Sequence, residues 1–101
     1  MVPLLFCGKV YNMKKRLAVI GVGYLGKFHA EKFANMENIE LTAIVDTDKV
    51  VADALAAKLS TKAFYDYREI LGMVDAVSIV VPTFLHFEVA SFFLTNGVDV
   101  M

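Results

Sequence analysis

Short apolar runs alternate with longer segments of helical periodicity along most of the chain. Residues 17–20, 41–45 and 76–81 are almost continuously apolar, which is typical of strands buried on both faces of a parallel sheet. Between these runs the apolar positions follow a helical spacing, as Val51, Leu55 and Leu59 do. The pattern therefore predicts strands separated by helices.

The predicted elements follow one another as β-α-β-α-β, a short helical turn, and then β-α-β. The predicted strands are 17–20, 41–45, 62–65, 76–81 and 98–101, the predicted helices are 24–35, 48–59 and 84–95, and the loose turn is 67–73. Strands that alternate with helices of this length form a parallel sheet with right-handed crossovers. We therefore predict an α/β fold, a Rossmann-type doubly wound parallel sheet with strand order 3-2-1-4-5 in a three-layer α/β/α arrangement.

The apolar content of the chain is high, at 57% of 101 residues, against roughly 45–50% in ordinary globular domains. No run reaches the about 18 apolar residues that a membrane-spanning helix needs. The excess of apolar residues is consistent with a sheet covered on both faces, or with an apolar surface that contacts another domain or subunit. The last predicted helix, 84–95, is apolar nearly all round. We expect it to be partly buried against such a partner, as in a homo-oligomer.

Charge and cysteine usage exclude several classes of function. The chain has 10 basic and 11 acidic residues and no basic stripe, so we expect no nucleic-acid partner. Its single cysteine, Cys7, excludes an intrachain disulfide and a cysteine-based zinc site. It also fits a reducing compartment, so we predict a cytoplasmic protein. Two histidines are too few for a metal cluster, and we expect no metal site.

The two ends of the chain do not fit the regular pattern. Residues 1–12 resemble an incomplete signal peptide, whereas Met13 opens a basic start to the first strand. We interpret 1–12 as a disordered extension and 13–101 as the domain; a short extra strand or arm is the alternative for 1–12. Because the sequence stops inside the predicted fifth strand, we expect that the chain is cut there and that a substrate domain is absent.

A glycine-rich motif follows the first predicted strand and opens the first predicted helix. It has the form G-x-G-x-x-G and comprises Gly21, Val22, Gly23, Tyr24, Leu25 and Gly26. In a dinucleotide-binding unit the first glycine permits the tight turn, the second lets the pyrophosphate approach the backbone, and the third lets the helix pack closely. The amides at the helix N-terminus then face the phosphates.

Asp46 closes the second predicted strand, 20 residues after Gly26, where this fingerprint places an acidic residue. Its carboxylate can accept hydrogen bonds from the adenosine ribose hydroxyls and would repel a 2′-phosphate. The expected cofactor is therefore NAD, with NADP possible. The alternative interpretation of Asp46 is a helix-capping residue before Asp48.

The loop after the fourth predicted strand supplies a second group of candidate residues. Pro82 ends the strand, and Thr83 can cap the next helix, which Asn96 and Gly97 can end. Ligands of parallel sheets bind at the carboxyl ends of the strands, which makes this loop part of the candidate site. It contributes Val81, Pro82, Thr83 and His86. The alternative is that Thr83 only caps the helix and that His86 is merely exposed.

Residues 14–101 resemble the Gfo/Idh/MocA family of oxidoreductases. The matching pieces are 21–29, 44–48, 64–67, 74–79 and 81–86. The resemblance implies the cofactor domain of an NAD(P)-dependent dehydrogenase that acts on a CH–OH group of a sugar or nucleotide-sugar. The pieces 21–29 and 81–86 look most like family members that oxidise the 3-hydroxyl of UDP-N-acetylglucosamine. The resemblance also places Pro82 and Thr83 beside the nicotinamide, with His86 as an orienting residue.

In this family the fifth strand runs into a Glu-Lys-Pro motif whose lysine takes part in hydride transfer. The present sequence ends at Met101, before that motif. We therefore expect no catalytic residue within the chain and no activity of the chain alone. Two other classes stay open: a non-catalytic module that senses NAD or another nucleotide, and a methyltransferase that uses S-adenosylmethionine. The third glycine and the short turn favour the dinucleotide.

Overall fold

In a computed structural model of the protein, residues 14–21 and 23–101 are described. The strands are β1 (Lys15–Ile20), β2 (Ile39–Val45), β3 (Lys62–Phe64), β4 (Ala76–Ile79) and β5 (Asp99–Val100); the helices are α1 (Tyr24–Ala34), α2 (Lys49–Lys58) and α3 (Thr83–Thr95), with a 3₁₀ helix at Tyr67–Ile70. The extension predicted for residues 1–12 lies outside the described residues. In the described part of the chain, no helix is long and apolar enough to span a membrane.

The five strands form one sheet in the order β3-β2-β1-β4-β5. Each neighbouring pair is parallel, which confirms the predicted order and direction. In the register of this sheet, Ile20 of β1 stands beside Val45 of β2 and beside Ile79 of β4. The carboxyl ends of the three central strands therefore meet at one edge.

Helices cover both faces of the sheet, as the predicted three-layer arrangement requires. Leu17 and Val19 of β1 belong to the core formed with α1 and α2. Ala18 and Ile20 belong to the core formed with α3 and the 3₁₀ helix. All four side chains are buried because successive residues of a central strand point to opposite, covered faces.

Two boundaries near the fourth strand differ from the sequence prediction. β4 ends at Ile79 rather than at position 81, because the chain leaves the sheet after the Val80 N–H has bonded to the Ile20 carbonyl at 2.8 Å. Thr83 is the first residue of α3 and does not cap it. Pro82 takes the N-cap position, since its carbonyl accepts from the N–H groups of Leu85 at 2.9 Å and of His86 at 3.2 Å. Asn96 ends α3 as predicted.

Candidate functional site

Backbone hydrogen bonds hold the carboxyl ends of four strands together. The Gly21 N–H donates to the Val45 carbonyl at 2.7 Å, and the Asp46 N–H donates to the Phe64 carbonyl at 3.1 Å. These bonds join the loops that follow β1, β2 and β3, while the bond from Val80 to Ile20 adds the loop that follows β4. Loops that leave neighbouring parallel strands in this way form a crevice suited to a ligand.

An open cleft of about 460 Å³ lies at this edge of the sheet. All four of these loops and α3 line it, with Gly21 and Gly23 from the first loop, Asp46 and Thr47 from the second, residues 65–68 from the third, residues 80–82 from the fourth, and Leu85, Glu88 and Val89 from α3. The cleft therefore combines the predicted glycine turn, the predicted acidic residue and part of the fourth-strand loop.

The three glycines of the motif have different surroundings. Gly21 has a φ of +89°, and a Cβ there would lie 2.8 Å from the carbonyl carbon of Val80. A Cβ on Gly26 would lie 2.8 Å from the carbonyl carbon of Gly21. Both distances are too short for a real Cβ. Gly21 therefore allows the turn to lie against the backbone of Val80, and Gly26 allows α1 to lie against the backbone of the turn. A Cβ on Gly23 would meet nothing within 4 Å, which leaves room beside Gly23 in the cleft.

The N-terminus of α1 has no acceptor side chain of its own. Gly23 is the N-cap, no side-chain cap is formed, and the first turn contains no acidic residue. In contrast, Asp48 caps α2 by accepting from the N–H groups of Val50 and Val51. The first amides of a helix carry partial positive charge and attract anions. The open space beside Gly23, at the start of α1, is therefore suited to an anionic group.

Asp46 lies half-buried in the lining of the cleft. Its Oδ1 atom accepts from the N–H of Asp48 at 2.9 Å, which fixes the side chain in a tight turn. The interpretation of Asp46 as the cap of the following helix is wrong, because Asp48 occupies that position. Asp46 instead presents a carboxylate at the end of β2, close to the glycine turn.

The remaining predicted site residues fall into three groups. Val81 and Pro82 line the cleft. Thr83 and His86 lie in the first turn of α3, exposed and outside the cleft lining. Tyr24 and Leu25 are the first two residues of α1, whereas Val22 lies outside the described residues.

Residues 65–68 and Glu88 line the cleft, although the sequence reading did not select them. The Tyr67 hydroxyl donates to Glu88 Oε2 at 3.1 Å; burial of the phenol and then this bond raise the pKa of Tyr67. Arg68 Nε bonds to Asp66 Oδ1 at 3.1 Å, and its guanidinium lies 5.0 Å from the centre of the Tyr67 ring. The position of residues 65–68 just after a parallel strand was the signal that could have indicated them.

Comparison with known proteins assigns the chain to a family. Residues 15–101 match the Gfo/Idh/MocA family model, described as an oxidoreductase family with an NAD-binding Rossmann fold. The chain belongs to this family. It is accordingly an NAD-binding Rossmann domain, as the resemblance predicted.

Two relatives illustrate the similarity. UDP-N-acetylglucosamine 3-dehydrogenase of Acidithiobacillus ferrooxidans is 45% identical over 83 residues, which are 82% of this chain and 26% of that protein. A crystal form of the same enzyme superposes with a TM-score of 0.81 at 42% identity, covering 88% of this chain and 29% of that chain. Scyllo-inositol dehydrogenase from Lactobacillus casei, solved with NAD(H) and scyllo-inositol, gives a TM-score of 0.81 at 26% identity. The superposition covers 86% of this chain and 27% of that chain.

The chain thus spans about a quarter of the length of the dehydrogenase that it matches at 45% identity. The residues that match the family model, 15–101, include all five strands of the sheet and the glycine turn.

Proposed function

We propose that this NAD-binding domain serves a dehydrogenase that removes a hydride from a CH–OH group of a sugar or nucleotide-sugar. One observation carries the proposal: the glycine turn, the uncapped start of α1 and the Asp46 carboxylate converge on a single cleft. A turn that admits phosphates and a carboxylate that accepts ribose hydroxyls are the two groups that a dinucleotide needs.

Each end of the cofactor has its proposed contacts. The motif residues Gly21, Val22, Gly23, Tyr24, Leu25 and Gly26 hold the pyrophosphate, and Asp46 holds the adenosine ribose. Val81 and Pro82 face the nicotinamide half, with Thr83 and His86 orienting it from the start of α3. The Asp46 carboxylate disfavours a 2′-phosphate, so NAD is preferred over NADP. When bound, NAD supplies the hydride acceptor, and the residues of this chain orient it.

The proposed substrate is a nucleotide-sugar of the UDP-N-acetylglucosamine type. The support is the 45% identity to an enzyme with that name. The bacterial D-glucoside 3-dehydrogenase of Escherichia coli strain K12, at 31% identity over 90 residues, supports the broader class of sugars oxidised at a hydroxyl group.

Assembly and location form a separate part of the proposal. We infer a cytoplasmic homo-oligomer that has no nucleic-acid or membrane partner. The near balance of 10 basic and 11 acidic residues supports the absence of a nucleic-acid partner. The exposed rings of Phe84 and Phe87 on α3 support a further protein contact.

Calorimetric titration of the purified chain with NAD, NADP and S-adenosylmethionine tests the cofactor. We expect NAD to bind most tightly; tightest binding of S-adenosylmethionine would contradict the proposal. The full-length protein should then reduce NAD in the presence of UDP-N-acetylglucosamine or another sugar, measured by absorbance of NADH. NAD binding without turnover of any sugar in a broad panel would favour the sensing module instead.

A further inference from the structure

The lining of the cleft contains an apolar wall with one acidic residue next to it. The apolar part comes from Leu85 and Val89 of α3, and the acidic residue is Glu88 of the same helix. A flat heteroaromatic ring is well suited to an apolar wall, because ring burial is favourable and its polar edge can reach specific partners. The cleft therefore has the chemical features of a base-binding pocket.

Glu88 differs from the rest of its helix. It is the single Asp, Glu, Lys or Arg in the sequence of α3, Thr83–Thr95. The Tyr67 hydroxyl donates to its Oε2 atom at 3.1 Å, which ties the carboxylate to the 3₁₀ helix. Within residues 14–21 and 23–101, no other hydrogen bond or ion pair involves the Glu88 carboxylate, so Oε1 keeps its capacity to accept.

The nearby cation forms its ion pair with another carboxylate rather than with Glu88. Arg68 also lines the cleft, but its guanidinium forms the ion pair with Asp66, at 3.1 Å from Nε to Oδ1. The Arg68 side chain lies over the Tyr67 ring, 5.0 Å from the ring centre. Glu88 is thus an oriented acceptor that faces a ligand space rather than a partner in a surface ion pair.

We propose that Glu88 recognises the adenine of bound NAD by accepting a hydrogen bond from its exocyclic amino group, while Tyr67 orients the carboxylate. This assignment rests on the proposed function, in which Asp46 binds the ribose that carries the adenine. The base must then lie in the same cleft as Asp46. A carboxylate only accepts hydrogen bonds and the exocyclic amino group of adenine only donates them, so the two are complementary.

The assignment makes Glu88 a specificity-determining residue for the base. Nicotinamide hypoxanthine dinucleotide carries a carbonyl oxygen where NAD carries the amino group. That oxygen and the Glu88 carboxylate are both acceptors, so they cannot bond and they repel each other. The amide of a glutamine can both accept and donate, so Glu88→Gln should accommodate either base.

Calorimetry with NAD and nicotinamide hypoxanthine dinucleotide tests this assignment on the purified chain. We expect the unaltered chain to bind NAD about tenfold more tightly, the effect of one hydrogen bond to a charged group at an accessible site. The ratio should fall close to one in Glu88→Gln. The control Glu37→Gln makes the same chemical change in the exposed turn after α1 and should keep the tenfold ratio. Melting temperatures of the three proteins report whether they are folded.

Three results would overturn the assignment. They are equal binding of the two dinucleotides by the unaltered chain, a preference for hypoxanthine, whose ring N–H could donate to the carboxylate, and an unchanged ratio in Glu88→Gln. Each of these leaves NAD binding, and so the proposed function, intact. Failure to bind either dinucleotide would contradict the proposed function together with the assignment.

Discussion

Asp46 and Asp48 are two residues apart in the sequence, yet their side chains face different neighbours. Asp48 Oδ1 accepts from the N–H groups of Val50 and Val51 and so stabilises the start of α2. Asp46 lines the cleft. This pair gives a matched comparison, because the two residues have the same chemistry but different surroundings.

We predict that Asp46→Ala weakens NAD binding by about tenfold or more and narrows the preference for NAD over NADP. The lost carboxylate would no longer accept from the ribose or repel a 2′-phosphate, and a hydrogen bond to a charged group contributes about 1.5–3 kcal/mol. Titration calorimetry with both cofactors measures the ratio.

Asp48→Ala is the control for this change. Loss of the cap should lower the free energy of unfolding by about 1 kcal/mol and leave the ratio of NAD to NADP affinity unchanged. The assignment of Asp46 would fail if the two substitutions altered this ratio equally.

At the scale of elements, two glycines of the turn have different roles: Gly26 is needed for close packing of α1, and Gly23 leaves space for the cofactor. We predict that Gly26→Ala destabilises the domain by about 1–3 kcal/mol, since the added Cβ overlaps the Gly21 backbone and forces α1 away from the sheet. Gly23→Ala should change stability by less than about 0.5 kcal/mol, because nothing lies within 4 Å of the added atom, but it should weaken NAD binding.

Chemical denaturation measures the first effect and calorimetry the second. A Gly26→Ala protein as stable as the unaltered chain would show that the close approach of α1 to the turn is not required. A Gly23→Ala protein with unchanged affinity for NAD would exclude the pyrophosphate from the space beside Gly23.

β1 and the loop before β4 are joined by a charged pair. Arg16 Nη2 lies 3.1 Å from Asp75 Oδ1, and the Arg16 backbone N–H donates to Asp75 Oδ2 at 2.8 Å. The side-chain hydrogen bond from Arg16, and then the backbone N–H, lower the pKa of Asp75. Because the folded state favours the ionised carboxylate, this contribution to stability is fully present above the unfolded pKa of about 3.9 and is lost as the pH falls through the lower folded pKa.

We therefore predict that Asp75→Asn lowers the melting temperature at pH 7 and makes its fall between about pH 4 and pH 2 shallower than in the unaltered chain. Melting curves across this range measure the effect. Asp99→Asn is the control, because its exposed pair with Lys15, at 3.0 Å, is of the kind that contributes little. If the melting temperatures of Asp75→Asn and of the unaltered chain fell equally steeply between about pH 4 and pH 2, the prediction would be contradicted.

At the scale of the whole molecule, α3 has one buried and one exposed apolar side. Val89 and Phe93 are buried in the core, whereas Phe84 and Phe87 are 81% and 80% exposed. Both exposed rings lie near the cleft end of the helix. Exposed apolar groups of this size favour contact with another protein surface.

We predict that the chain self-associates in solution and that the double substitution Phe84→Ser/Phe87→Ser shifts it towards the monomer. Association removes apolar surface from water, at about 25 cal/mol per Å², whereas serine has little apolar surface to bury. Sedimentation velocity over a range of concentrations measures the shift. Val50→Ser, at a residue of α2 that is 78% exposed, is the control and should leave association unchanged; a chain that is monomeric throughout would exclude the prediction.

The sequence by itself determined the order of elements, the parallel sheet and the glycine turn. These features depend on local information: apolar periodicity selects strand or helix, and the connection of parallel strands has one strongly preferred hand. The glycine positions could be assigned in advance because a turn with φ of +89° at Gly21 suits a residue without a side chain. Asp46 was predicted for a similar reason, since its distance from the turn along the chain is fixed.

Only the tertiary structure decided which side chains share the cleft and which residues cap the helices. Tyr67 and Glu88 are 21 residues apart and meet only because the 3₁₀ helix and α3 pack on the same face of the sheet. Asp48 rather than Asp46 caps α2, and Pro82 rather than Thr83 caps α3. The backbone direction at the end of each strand determines which carbonyl or carboxylate reaches the first helical N–H groups. Such contacts depend on how separate elements pack, and local sequence patterns do not contain that information.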